Sequence, residues 1–119
     1  MSESAVVVGA GIFGASLAHR LARDGWDVTL LERHEPGHDR AASGDQSRLI
    51  RYSHGADVWY ARSARRAREL WRELEAETGR ELLVECGVAW FGRGEDGWEA
   101  ESERVLRREG VPVERLPAE

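Results

Sequence analysis

The chain of 119 residues contains no lysine; all 17 of its basic residues are arginine. Within these residues, that absence removes Schiff-base chemistry, the phosphate-gripping lysine of a P-loop and any lysine general base. Nucleotide bias in the genome is the plain explanation of such a composition. Cysteine is almost as scarce. Cys86 stands alone, which excludes an internal disulfide and any zinc site built from several thiolates. No metal site is expected. One cysteine fits a reducing compartment, so a cytoplasmic location is expected. No apolar run approaches the roughly 18 residues of a membrane-spanning helix. Met1-Ser2-Glu3-Ser4 is not a basic segment leading into a long apolar stretch, so no secretory leader is expected. A net charge of −5 argues against a general nucleic-acid binder.

What remains is ordinary for a folded chain. Hydrophobic residues make up 41% and charged residues 33%, a balance that can form one domain or a piece of a larger one. Ala5 to Gly9 is a short apolar run, Ala-Val-Val-Val-Gly. Consecutive β-branched residues predict a strand buried on both faces, as in a parallel sheet. Ala15 to Arg23 is predicted helical, with apolar points at Leu17, Ala18, Leu21 and Ala22 and a stop at Gly25. Trp26 to Leu31 is a second apolar strand with Glu32 at its end. Together these form a βαβ unit.

The turn between the first strand and the helix reads Gly9-Ala10-Gly11-Ile12-Phe13-Gly14. A Gly-x-Gly-x-x-Gly motif alone is weak; placed after a strand, before a helix and upstream of an acidic strand end, it is specific. Gly9 allows the tight turn, Gly11 lets backbone approach a pyrophosphate, and Gly14 lets the helix pack closely on the sheet. The helix N-terminus offers free N–H groups to phosphate. Glu32, 18 residues after Gly14, is placed to accept hydrogen bonds from an adenosine ribose and repels a 2′-phosphate, which disfavours NADP. FAD and NAD both remain on these residues alone.

Arg33 to Gln46 reads as a loop, and Ser47 to Tyr52 is ambiguous. Asp57 to about Thr78 is predicted helical, with Asp57 as N-cap and Gly79 as stop. Tyr60, Ala64, Ala67, Trp71 and Leu74 fall on one face of it, and arginines dominate the other. Leu82 to Phe91 is predicted as a strand or strand pair broken at Gly87. Trp98 to Glu109 is predicted as a charged helix stopped by Gly110, and Val111 to Leu116 as a last strand.

The segment Ala41-Ala42-Ser43-Gly44-Asp45-Gln46-Ser47-Arg48-Leu49-Ile50-Arg51-Tyr52-Ser53-His54-Gly55 resembles the loop after the second strand in FAD-dependent oxidoreductases of the D-amino-acid oxidase-like group, and most of all its sarcosine oxidase and N-methyltryptophan oxidase branch. The helix carrying Arg68-Glu69-Leu70-Trp71-Arg72-Glu73-Leu74-Glu75 and the run Gly87-Val88-Ala89-Trp90-Phe91-Gly92 are similar to the same group's next helix and strand. The resemblance implies an α/β fold, with the N-terminal part of a Rossmann-like FAD-binding domain at residues 1–81 and the start of an α+β substrate domain at 82–119.

It also implies roles. FAD is the expected cofactor, held by Gly9, Ala10, Gly11, Ile12, Phe13, Gly14, Glu32, Arg33, Ser43, Gly44, Arg48 and Leu49. Arg48 is expected close to the flavin ring, and Arg51 is expected to pair with the carboxylate of a small amino-acid or amine substrate. A guanidinium suits that task because it makes two parallel hydrogen bonds and stays charged at any working pH. His54 and Cys86 are read as structural. Two departures stand beside the resemblance. The group's members are expected to be about three times longer, so the chain resembles their first third, inactive by itself. Sarcosine oxidase-like enzymes also use a lysine to activate oxygen and a cysteine further along to attach FAD, neither of which these residues supply. The alternative reading is a standalone FAD- or NAD-binding module completed by a partner chain or by self-association. No nucleic acid or membrane partner is expected.

Overall fold

The computed structural model describes residues 2–117, and these divide after Arg48 into two compact units. The first unit is the βαβ motif. Strand β1 spans Ser4–Val8, helix α1 Ile12–Arg23 and strand β2 Asp27–Leu31. The strands pair in parallel, Ser4 opposite Asp27 through Val8 opposite Leu31. The Gly9 N–H donates to the Leu31 carbonyl at 2.7 Å, and Asp27 N–H to the Glu3 carbonyl at 2.8 Å, which extends the ladder at both ends.

Helix α1 begins three residues earlier than the apolar pattern predicts, inside the glycine motif itself. Gly11 is its N-cap, with extended backbone. The helix ends through Gly25, whose φ of 89° favours glycine. There, Gly25 N–H reaches the Ala22 carbonyl and Trp26 N–H the Leu21 carbonyl. Helix α1 covers one face of the two strands, where Val7 and Ala18 are buried. The expectation of a β1 strand buried on both faces is corrected here. Val6 is 66% and Val8 81% exposed, because alternate side chains point to opposite faces and only one face has a helix over it among the described residues.

The second unit holds helix α2, Val58–Thr78, and helix α3, Trp98–Arg108, which contact each other. The caps of α2 match the sequence reading. Asp57 accepts the Trp59 and Tyr60 N–H groups at 3.0 and 3.3 Å, and Gly79 closes the helix at φ 66°. Its most buried point is Ala61, at 0% exposure, while Tyr60 is exposed, so the inward face is turned slightly from the predicted stripe. Helix α3 carries Glu99 and Glu101 in its first turn and Arg107 and Arg108 in its last, charges that complement the helix dipole. Arg62 makes a two-pronged pair with Glu109 at 2.8 and 3.0 Å, and Arg65 donates to the Glu109 carbonyl.

Two predicted strands are absent. Leu82 to Phe91 runs without regular structure, although its composition suits a strand. Its backbone partners are side chains of α2. The Glu75 carboxylate accepts the Leu82 and Leu83 N–H groups at 2.8 Å each, and Arg72 donates to the Leu83 carbonyl at 2.9 Å. Arg68 and Arg72 both hold Glu85, and Gly87 at φ 73° breaks the run. A strand needs a neighbouring strand, and among the described residues none lies alongside. Val111 to Leu116 fails for the same reason. Gly110 turns the chain out of α3, with Val111 N–H returning to the Leu106 carbonyl at 2.9 Å, and Val111 to Leu116 also lacks a pairing partner among the described residues. Among the described residues no helix is long and apolar enough to cross a membrane.

Candidate functional site

The residues singled out in the sequence fall into two clusters, one in each unit. In the first, the glycines do distinct work. Gly9 leaves β1 at φ 98°. A Cβ on Gly14 would lie 3.0 Å from the Gly9 carbonyl carbon and overlap the Gly9 oxygen. Position 14 therefore admits no side chain while α1 starts where it does. A Cβ on Gly11 would meet nothing within 4 Å; the missing side chain there leaves space rather than permitting packing.

That space belongs to a hollow of about 370 Å³ lined by Gly11, Ile12, Phe13, Gly14, Ala41, Ala42, Ser43 and Arg48. The first N–H groups of a helix lack acceptors within it. At α1 they are uncapped by any side chain, and the first turn holds no acidic residue. The positive end of the dipole therefore has no capping side chain or first-turn acid of its own against it. Arg48 brings a guanidinium to the lining, its charge partly offset by the exposed Asp45 carboxylate. Its guanidinium is fixed by the Ala42 and Gly44 carbonyls at 3.3 and 3.0 Å and by Asp45 at 3.2 Å. Gly44 is tightly placed, since a Cβ there would come within 2.6 Å of the His38 carbonyl oxygen. The 41–48 loop is thus built around the arginine. Phe13 is exposed beside it.

Glu32 closes the motif at the end of β2. One carboxylate oxygen accepts the Ala10 N–H at 2.6 Å, the other the His34 N–H at 2.9 Å. These backbone donors, His34 first and Ala10 second, hold its carboxyl at about 2, well below the usual 4.5, with the nearby His38 ring adding a smaller effect. Glu32 is therefore an anion at any working pH. The Arg33 N–H adds a weaker backbone contact, and a carboxylate has about four acceptor positions, so acceptor capacity remains. Arg33 follows it, exposed.

In the second unit Leu49 is exposed and Arg51 is not. By whole-residue exposure Arg51 and Arg68 are half-buried. Arg68 is neutralised by Glu85. Arg51 meets no carboxylate among the described residues. Instead its Cζ sits 5.3 Å from the ring centres of both Trp90 and Trp98, and Nη1 donates to the Ser53 carbonyl at 3.1 Å. The indoles meet edge to face at 4.8 Å. The His54 Nε2 lies 3.2 Å from the Arg51 carbonyl, and its ring stacks on Tyr60. Cys86 is exposed.

The sequence reading missed the two tryptophans around Arg51 and the alanines 41 and 42 lining the hollow. Five tryptophans in a chain with only 8% aromatic residues were the available signal, but no spacing linked any of them to Arg51.

The residues described fit a dinucleotide. A bare N-cap, an open approach, a cation and a strand-end carboxylate are what a pyrophosphate and a ribose require. The sequence pattern of a family described as FAD dependent oxidoreductase matches residues 4–119. The chain is 33% identical over 112 residues to the monomeric sarcosine oxidase of Bacillus sp. (strain B-0618), covering 93% of this chain and 29% of that protein. It is 30% identical over 118 residues to the N-methyl-L-tryptophan oxidase of Salmonella arizonae, covering 99% of this chain and 32% of that one. The chain thus spans about a third of the length of these relatives. On the match over residues 4–119, the chain belongs to the FAD-dependent oxidoreductase family, whose cofactor is FAD.

Proposed function

We propose that these residues bind the adenosine and pyrophosphate part of FAD in an oxidoreductase acting on the amine of an amino acid or N-methyl amino acid. The observation that carries this reading is the hollow at the uncapped N-terminus of α1, with Arg48 on its lining. Pyrophosphate oxygens would accept the N–H groups of Ile12, Phe13 and Gly14, whose positions in the first turn leave them without helical acceptors. Gly11 keeps the approach open. Glu32 would use its remaining acceptor capacity on the ribose, and its fixed negative charge disfavours a 2′-phosphate. Gly9, Ala10, Arg33, Ser43, Gly44 and Leu49 complete the cofactor-binding set proposed here.

Arg51 is proposed to hold the substrate carboxylate. It is the half-buried arginine without a counter-ion, in a chain that pairs many of its other arginines with glutamate or aspartate. Bound FAD supplies the acceptor for the two electrons taken from the amine. The chain's own residues bind and orient; the binding role is proposed for these 119 residues alone, and turnover for the longer arrangement seen in the relatives. The exposed Val6, Val8 and Leu31 favour a sheet that is covered by further polypeptide, from a partner chain or a second copy. A single cysteine supports the reading of a cytoplasmic location.

The test is a titration of the purified chain with FAD, followed by quenching of flavin fluorescence, with NAD and NADP as competitors. Saturable FAD binding that NADP fails to displace, and that weakens in Glu32→Ala and Arg48→Ala, is the expected result. A chain folded by circular dichroism that takes up no FAD would overturn the reading.

A further inference from the structure

Arg51 is held in an unusual way for this chain. Several other arginines are steadied by carboxylates: Arg62 by Glu109, Arg68 and Arg72 by Glu85, Arg107 by Glu103. A carboxylate partner fixes a guanidinium but also neutralises it and competes with any anionic ligand. Arg51 is steadied by two indole rings and one backbone carbonyl. These neutral partners fix its position and leave its charge intact. Its Nε and Nη2 have no acceptor among the described residues.

The seat is itself braced. Ser53 is buried; its carbonyl accepts from Arg51, and its Oγ accepts the Trp90 Nε1–H at 2.9 Å. One residue thus orients both the cation and one of its walls. Gly55 makes room for the other wall. A Cβ there would come 2.8 Å from Trp98 Cδ1 and 2.9 Å from its Nε1. The Gly55 N–H donates to the buried Ser102 Oγ at 2.8 Å, which ties the 53–55 turn to α3, the helix that begins at Trp98.

From this arrangement we infer that Trp90 and Trp98 are positioning residues that pre-order the Arg51 guanidinium, still charged and with Nε and Nη2 available, for a small carboxylate ligand. The inference rests on the reading of Arg51 as the carboxylate holder. An arginine side chain has many rotamers, and ordering it on binding lowers affinity. A cation already seated over two π faces avoids that cost. Trp90 and Trp98 are both partly exposed, so each contributes at the lower end of the cation–π range.

The experiment measures sarcosine binding to the chain by NMR, with the methyl amide of sarcosine as the probe that lacks a carboxylate. The wild type is expected to bind sarcosine saturably and the amide undetectably, and Arg51→Gln to lose the sarcosine response. Trp90→Leu or Trp98→Leu is expected to weaken binding about two- to five-fold, and the double variant about ten-fold. Phenylalanine at either position should recover most of it, since a benzene ring keeps a π face. A ligand-free readout accompanies this: the Arg51 side-chain protons should be shifted upfield by ring current in the wild type and lose that shift in the double leucine variant. If Arg51→Gln abolishes binding while the leucine variants bind like wild type, the inference is overturned and the carboxylate reading stands. If Arg51→Gln binds like wild type, or the wild type does not bind, the carboxylate reading falls and the inference with it. Absence of the ring-current shift in the wild type overturns the seat independently of any ligand.

Discussion

Gly11 and Gly14 lie three residues apart in the same motif, and the structure assigns them opposite sensitivities to the same change. In Gly14→Ala the new Cβ overlaps the Gly9 carbonyl oxygen and sits 3.0 Å from its carbon. The obstacle is backbone, which cannot swing aside like a side chain. Relief requires the start of α1 to withdraw by about 1 Å or more, with loss of the close contacts it makes on β1. Overpacking of this kind costs about 1–3 kcal/mol, and contact with backbone puts it near the upper end. Alanine in a helix returns at most about 1 kcal/mol over glycine, leaving a net destabilisation of about 1–2 kcal/mol. In Gly11→Ala the Cβ meets nothing within 4 Å, and φ is −65°, a conformation open to any residue. Its stability should change by only about 0.5 kcal/mol, as a relaxed surface substitution. Its methyl group nevertheless stands at the mouth of the proposed pyrophosphate site. Urea melts followed by far-UV circular dichroism read the first quantity; FAD titration reads the second. With a slope of about 1–2 kcal/mol per molar urea, Gly14→Ala should lower the midpoint by about 1 M. Gly11→Ala should melt like the wild type and bind FAD at least about ten-fold more weakly. The reasoning is refuted if Gly14→Ala melts at or above the wild-type midpoint, or if Gly11→Ala binds FAD normally.

Two further outcomes follow from the caps and from Glu32. The Glu32 carboxyl is held at about 2 by the His34 and Ala10 N–H groups, below its value in an unfolded chain. Its contribution to stability is therefore complete above the ordinary carboxylate range and is lost as pH falls from about 4.5 towards 2. Carbon-detected NMR titration of the Glu32 carboxyl should place its midpoint at the low end of that window; a midpoint at the ordinary value would refute the hydrogen-bonded geometry. Asp57→Ala removes the acceptor for the Trp59 and Tyr60 N–H groups and should cost about 1 kcal/mol of stability, read as a lower urea midpoint. An unchanged midpoint would mean that this cap contributes nothing.

The parts of the fold written in local sequence were legible. The βαβ order, the Asp57 cap, the Gly79 stop and the Trp98 helix each depend on residues within a few positions of one another. Glycine conformations, capping oxygens and apolar spacing act at that range. The glycine motif was legible for the same reason: a turn, a helix start and a strand-end acid all lie within one βαβ unit.

Strands are different, because a strand is defined by a neighbour that its own residues do not specify. Val88-Ala89-Trp90-Phe91 has strand composition, yet nothing pairs with it among the described residues, and the Leu82–Glu85 stretch just before it is held by the side chains of Glu75, Arg72 and Arg68. The sheet face of Val6 and Val8 likewise reads as buried from composition, but burial depends on what lies over it. The surroundings of Arg51 show the same limit. Its place in the Ser47-Arg48-Leu49-Ile50-Arg51 run marked it in the sequence. Only the tertiary structure brought Trp90 and Trp98, 39 and 47 residues further on, to its guanidinium. Residue type and local spacing determined which groups this protein offers for the proposed binding of a dinucleotide and a carboxylate. Long-range packing decided which of those groups are left without a partner of their own, since a charge becomes available only when every neighbour that could neutralise it has been placed elsewhere.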